Sequence, residues 1–269
     1  MKNIWKAFAL VFAMATLMTA CAKAPTTGDA DASAAPAVAS DLAYIQDKGE
    51  MIIGITEYDP MNYQENGEWT GFDTEFTKLV AEKLGVTPKF IVIDWDNKIP
   101  ELESKAIDCV WNGMTLTDEV KNGMNCTDPY VVNAQVLVTK ADKIDSFKTV
   151  DDLKNITFVA ESGSAGEAAI IDAGYTCTAV TAQADALLEV SSGAADACVI
   201  DITMANAMTG EGTSYADLAP GLSLTSEFYG IGFRKGSDMT EKVNSIIKDL
   251  KADGSLKELA EKYNLTLAE

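Results

Sequence analysis

Histidine is absent from this 269-residue chain, and Arg234 is its only arginine. Without imidazole there is no Ser-His-acid triad and no histidine metal site. Cys109 and Cys198 lie in apolar, strand-like runs without CxxC spacing and read as buried free thiols, while Cys126 and Cys177 are open between thiol and disulfide. No catalytic residue, metal site or cofactor is assigned. Gly163-Ser164-Ala165-Gly166 opens a helix directly after a strand, and free N–H groups at a helix start form an anion site suited to a carboxylate. Ser164 acting as a simple N-cap is the plainer reading, and the two are compatible.

Cys21 carries a different chemistry. Lys2 and Lys6 precede an apolar stretch from Ala7 to Met18, and Met18-Thr19-Ala20-Cys21 follows. A basic start, a short apolar core and small residues describe a secretory signal over residues 1–20, not a spanning helix. The cysteine after small residues resembles a bacterial lipobox with Cys21 lipidated; an ordinary signal peptide containing a cysteine is the alternative. Residues 22–40 are mostly Ala, Thr, Ser, Pro and Asp, too poor in apolar bulk to offset ordering entropy, so 21–40 is expected to be a flexible tether. No later run is long and apolar enough to cross a membrane.

The formal charge is −20, and removing the two lysines of the first twenty residues leaves −22 from Cys21 onward. Nucleic-acid binding needs a basic footprint and is set aside. An acidic surface keeps an exported protein soluble and away from anionic headgroups.

The candidate groups need a scaffold to converge. Met51 to Thr56 is a β-branched run that reads as a buried strand. Phe72, Phe76, Leu79, Val80 and Leu84 recur at helical spacing, and Gly85 ends that helix. A strand over Lys89 to Ile93, a short helix over Ile99 to Ser104 and a strand over Asp108 to Trp111 follow. This alternation predicts parallel strands with crossover helices. The pattern restarts with strands over Ile156 to Ala160, Cys177 to Val180 and Ala197 to Ile200, and helices over Ser164 to Asp172 and Gln183 to Ser191. Two similar α/β lobes are expected, joined by strands over Ala134 to Lys140 and Phe228 to Arg234. The last helices, around Val243 to Leu250 and Leu256 to Tyr263, return to the first lobe. Open α/β sheets facing each other leave a cleft at their strand C-terminal ends.

From about Leu42 to Tyr263 the chain resembles the extracellular amino-acid-binding proteins of ABC importers. The resemblance rests on seven stretches in order: Ile53-Gly54 to Pro60, Gly71-Phe72-Asp73, Ile93-Asp94-Trp95-Asp96, Ile107 to Thr117, Asp128-Pro129-Tyr130, Glu161-Ser162-Gly163-Ser164 and Gly230 to Lys235. It implies a two-lobed α/β type II periplasmic-binding fold with two crossover hinge strands. Lobe 1 would comprise 41–135 and 228–269, and lobe 2 would comprise 136–227. It further implies a monomeric protein, lipid-anchored on the extracytoplasmic face, that captures a small polar amino acid and delivers it to membrane permease subunits.

The resemblance also assigns site residues. Tyr58 would lie over the ligand, with Glu57 beside it as an acceptor. Trp95 would reach the pocket from the first lobe; Asn112, Gly113 and Thr115 would bind through backbone and hydroxyl groups. Ser164 and Ala165 would present the helix start, and Asp201 would grip the α-ammonium. Trp111, by strand alternation, belongs to the core. One departure stands out: the family's carboxylate-binding arginine is replaced by Val120 in Thr115-Leu116-Thr117-Asp118-Glu119-Val120-Lys121. Hydrogen bonds to charged groups contribute ~1.5–3 kcal/mol, so Lys121 or the Ser164 helix start must substitute, or the ligand has no free α-carboxylate. A dehydratase-like enzyme on the same fold, using Glu57 or Asp201 as acid or base, is the competing class. A sensory module ranks last.

Overall fold

The structure is a computed structural model and describes residues 40–269. The signal segment, Cys21 and all of the expected tether except Ser40 lie outside the described residues. Ser40 caps the first helix, its Oγ accepting from Ala43 N–H at 3.0 Å.

In chain order the elements are α1 (Asp41–Lys48), β1 (Glu50–Ile55), the hairpin β2 (Tyr63–Glu65) and β3 (Glu68–Thr70), α2 (Phe72–Leu84), β4 (Thr87–Val92), α3 (Lys98–Glu103), β5 (Cys109–Thr115), α4 (Asp118–Gly123), β6 (Asn125–Cys126), β7 (Val131–Asn133) and β8 (Gln135–Lys140). Then come β9 (Phe158–Glu161), α5 (Ala165–Asp172), β10 (Cys177–Val180), α6 (Gln183–Ser192), β11 (Ala197–Asp201), α7 (Ile202–Met208), β12 (Leu218–Ser223), β13 (Glu227–Phe233), α8 (Met239–Ala252) and α9 (Ser255–Lys262). The apolar spacing of α2 buries Phe72, Phe76, Val80 and Leu84, and Gly85 ends the helix in the left-handed conformation.

Two sheets carry the fold. The first runs β4-β1-β5-β13-β6, with β7 also on β13; the second runs β10-β9-β11-β8-β12. In each, the three strands joined through helices are parallel (β4, β1, β5 and β10, β9, β11). Antiparallel pairing, which the alternation did not predict, enters with β13 on β5 and β8 on β11. Both arrive from the other lobe without a crossover helix, so nothing forces them to run parallel. The chain changes sheet between Asn133 and Gln135 and returns between Ser223 and Glu227.

Trp111 is fully buried in the first lobe, edge-on to Phe76 at 4.9 Å with Nε1 donating to Asp73 at 3.2 Å. Arg234 is buried beside α1, donating to Asp41 at 3.0 Å and to the Ile107 carbonyl at 2.8 Å. Its role is therefore structural. All four described cysteines are free thiols, Cys109 and Cys198 buried. Among the described residues no helix is long and apolar enough to cross a membrane.

Candidate functional site

A cavity of about 300 Å³ opens between the lobes, lined by Trp95, Lys98, Thr115, Thr117, Val120, Gly163, Ser164, Ala165 and Ala168, among others. Each wall follows from local structure. Trp95 stands in the 3-10 turn Trp95–Asn97 that follows β4, and Thr115 ends β5. Ser164 caps α5, its Oγ accepting from Glu167 N–H at 3.1 Å, so the Ala165 end of the helix faces the cavity. The lobes come close here. Gly163 has φ +68°, and a Cβ on it would lie 2.6 Å from Asp96 Oδ1 of the other lobe, so only glycine permits this approach.

Asp201 ends β11 and is buried, held by four side-chain donors. Its Oδ1 accepts from Asn133 Nδ2 at 2.5 Å, Gln135 Nε2 at 2.9 Å and Tyr229 OH at 2.9 Å, and its Oδ2 accepts from Gln183 Nε2 at 2.7 Å. Glu227 Oε1 accepts from the same Asn133 and Gln135 amides, each at 2.7 Å, and from Thr115 Oγ1 at 2.8 Å. Two carboxylates thus clasp both chain crossings. Burial, with Glu227 nearby, pushes Asp201 up to about 7 despite these donors.

Glu161, at the end of β9, is buried with Oε1 unpartnered. Burial first, and Asp201 second, raise its carboxyl to about 8, against the pull of Lys98. A buried acceptor without a donor is costly.

The sequence-derived residues divide into three groups. Trp95, Thr115, Ser164 and Ala165 line the one cavity. Tyr58, Asn112, Gly113 and Asp201 are buried nearby but hold each other and the walls. Tyr58 OH meets Thr203 Oγ1 of the second lobe at 2.5 Å and also the Tyr229 hydroxyl. Asn112 donates to Thr56 Oγ1 at 2.6 Å and accepts from Asn62 at 2.8 Å, and Gly113 N–H donates to Asp73 at 2.5 Å. Glu57 is exposed and stands apart. Lys121 is exposed as well and borders a different surface cavity with Lys235. Sequence reasoning missed Lys98, Glu161, Glu227, Asn133, Gln135 and Thr203. Only the position of Asn133 and Gln135 on either side of the crossing gave any signal for them.

A half-open cleft with a helix start on one lobe, an indole on the other and buried acids beside it can hold a small polar molecule without covalent chemistry. Comparison with known proteins bears on the fold and the family. The arginine-binding extracellular protein ArtP of Bacillus subtilis (strain 168) is 28% identical over 80% of this chain and 86% of its own length. The structure of holo ArgBP from T. maritima is 34% identical, covers 78% of this chain and 93% of that one, and superposes with a TM-score of 0.72. The ancestral amino acid-binding protein AncCDT-1, a precursor of cyclohexadienyl dehydratase, is 32% identical over 83% and 99%, with a TM-score of 0.76. Residues 51–266 match one family along most of the folded unit, and the chain belongs to the bacterial extracellular solute-binding proteins, family 3.

Proposed function

We propose that this protein captures a small polar amino acid in the inter-lobe cleft and hands it to the permease of an ABC-type importer. The observation that carries the reading is the cavity of about 300 Å³ between Trp95 and Thr115 on one lobe and the Ser164–Ala165 helix start on the other. That volume is at the small end of ligand pockets and suits one amino acid. Trp95 supplies an apolar wall, Thr115 a hydroxyl, and Ser164 with Ala165 the anion-facing helix start. Asp201 supplies the acid for the ammonium, exchanging an amide donor for it. Tyr58, Asn112 and Gly113 hold the first-lobe wall in shape, and Glu57 takes no part. Export through the segment 1–20 and lipidation at Cys21 would keep the protein beside its permease.

The test is a thermal-stability panel of single amino acids, simple amines and dipeptides. A ligand present at 1,000 times its dissociation constant adds about 4 kcal/mol, and one or a few amino acids should give that shift. A panel in which only carboxylate-free metabolites work refutes the amino-acid assignment. The raised acids Asp201 and Glu161 are what a dehydratase-like enzyme would use. Turnover of the stabilising ligand, followed by NMR, would place the protein in that class instead.

A further inference from the structure

The inter-lobe cavity has one lysine on its wall, and that lysine has no close counter-ion. Lys98 opens α3 and is only 3% exposed. Its Nζ donates to the Trp95 carbonyl at 3.2 Å and, across the cleft, to the Gly163 carbonyl at 2.9 Å. It also stands 5.1 Å from the centre of the Trp95 ring. An ammonium has three donors, so one is unspent.

Among the described residues no carboxylate comes within 4.0 Å of this nitrogen. Glu119, Asp96, Glu161 and Glu167 act on it only from further away, and burial lowers its proton affinity. A buried ammonium without a close anion is costly. Asp118, Glu119 and Asp172 line the same cavity, but none comes within 4.0 Å of this nitrogen, so the lysine is matched to an anion that arrives with the ligand. Val120, where the family's arginine would stand, lines the same cavity and has no donor to offer. Lys121 faces away from it.

We propose that Lys98 binds the ligand's carboxylate in this cleft and takes over the task of the arginine that Val120 replaces. The inference rests on the solute-capture reading above. A single ammonium offers a point charge rather than a two-pronged fork, so the carboxylate is gripped through one oxygen by Lys98. The spent donors hold the lysine against both lobes, which makes carboxylate binding and lobe contact depend on the same side chain.

The experiment is calorimetry on the purified protein with the amino acid that stabilises it most, together with the amine left when its carboxylate is removed. Wild-type protein should prefer the amino acid. In Lys98→Met, affinity for the amino acid should fall about 10-fold to 100-fold, while affinity for the amine stays within about 3-fold, so that the preference collapses. Lys98→Arg should keep most of the preference. Equal weakening of both ligands in Lys98→Met would make the lysine a mere lobe latch and overturns the proposal. Unchanged amino-acid affinity overturns it too, and in both cases solute capture stands. A wild-type protein that binds only carboxylate-free amines overturns both readings. Should Lys98→Met fail to fold, Lys98→Gln keeps a donor for the two carbonyls without the charge and permits the same comparison.

Discussion

Gly113→Ala tests whether the first-lobe wall is held by close packing. Gly113 sits inside β5 with φ +54°, a conformation that costs an L side chain about 1–2 kcal/mol. A Cβ there would lie 2.7 Å from Tyr58 Cε1 and 3.2 Å from both Met61 Cγ and Tyr229 Cε2. Tyr58 is 2% exposed and cannot swing into solvent. Overpacking of this kind costs about 1–3 kcal/mol, so the substitution should destabilise by about 2–5 kcal/mol. In a domain of this size each kcal/mol moves the melting temperature about 2–4 °C. Urea and thermal denaturation of Gly113→Ala should therefore show a loss of about 4–20 °C. In a Tyr58→Leu background the closest contact is gone while those to Met61 and Tyr229 at 3.2 Å remain, and the added cost should shrink toward the backbone part of about 1–2 kcal/mol. Because Tyr58 OH touches Thr203 of the second lobe, the single variant should also bind its ligand more weakly. A loss below 1 kcal/mol, or an equal loss in the Tyr58→Leu background, would refute the packing argument.

Two further outcomes follow from buried charge. Arg234→Met strands the nearly buried Asp41 and takes a donor from the Ile107 carbonyl, while Asp108 keeps Lys48 at 2.6 Å; it should cost about 3–5 kcal/mol, leaving ligand affinity unchanged wherever the variant is folded, and a loss under 1 kcal/mol in denaturant titration would contradict this. Asp73, Asp201 and Glu161 are raised to about 7, about 7 and about 8, each chiefly by burial. A carboxyl raised by folding holds its proton better in the fold, so its stabilisation is complete below pH about 4 and is lost as pH climbs to the folded value. For Asp73 the distance from 3.8 to about 7 corresponds to about 4 kcal/mol. Ligand-free protein should melt at progressively lower temperature from pH 5 to 8, and Asp73→Asn should flatten that slope; a melting temperature that rises over this range would reverse the assignment.

Much of the fold was legible because its signals are local. The stripe Phe72, Phe76, Val80 and Leu84 ends at Gly85 as a left-handed cap, and the N-cap at Ser164 is visible in the same way, from residues within one turn. The hairpin of β2 and β3 and the short helix α4 were not foreseen, since each is too short for a periodic pattern to emerge. The site was only half legible. Lys98 on a six-residue helix reads as a solvated lysine, and Glu227 as one more acid in an acidic chain. What makes them special is contact between residues far apart in sequence: Lys98 with Gly163, and Glu227 with Asn133 and Gln135.

The sequence by itself determined the α/β alternation, the doubling into two lobes, the exclusion of histidine chemistry, and the family through seven ordered stretches. Each of these depends on residue types or short spacings, which the linear chain carries explicitly. Only the tertiary structure decided which polar groups lose water and which keep it. Lys121, adjacent to Val120, stays in solvent, whereas Lys98 is enclosed with one donor unspent. Asp201 and Glu227 become a shared clasp because both crossings meet there. Desolvation belongs to the packed arrangement of both lobes, and it turns an ordinary lysine or carboxylate into a group that a ligand can satisfy.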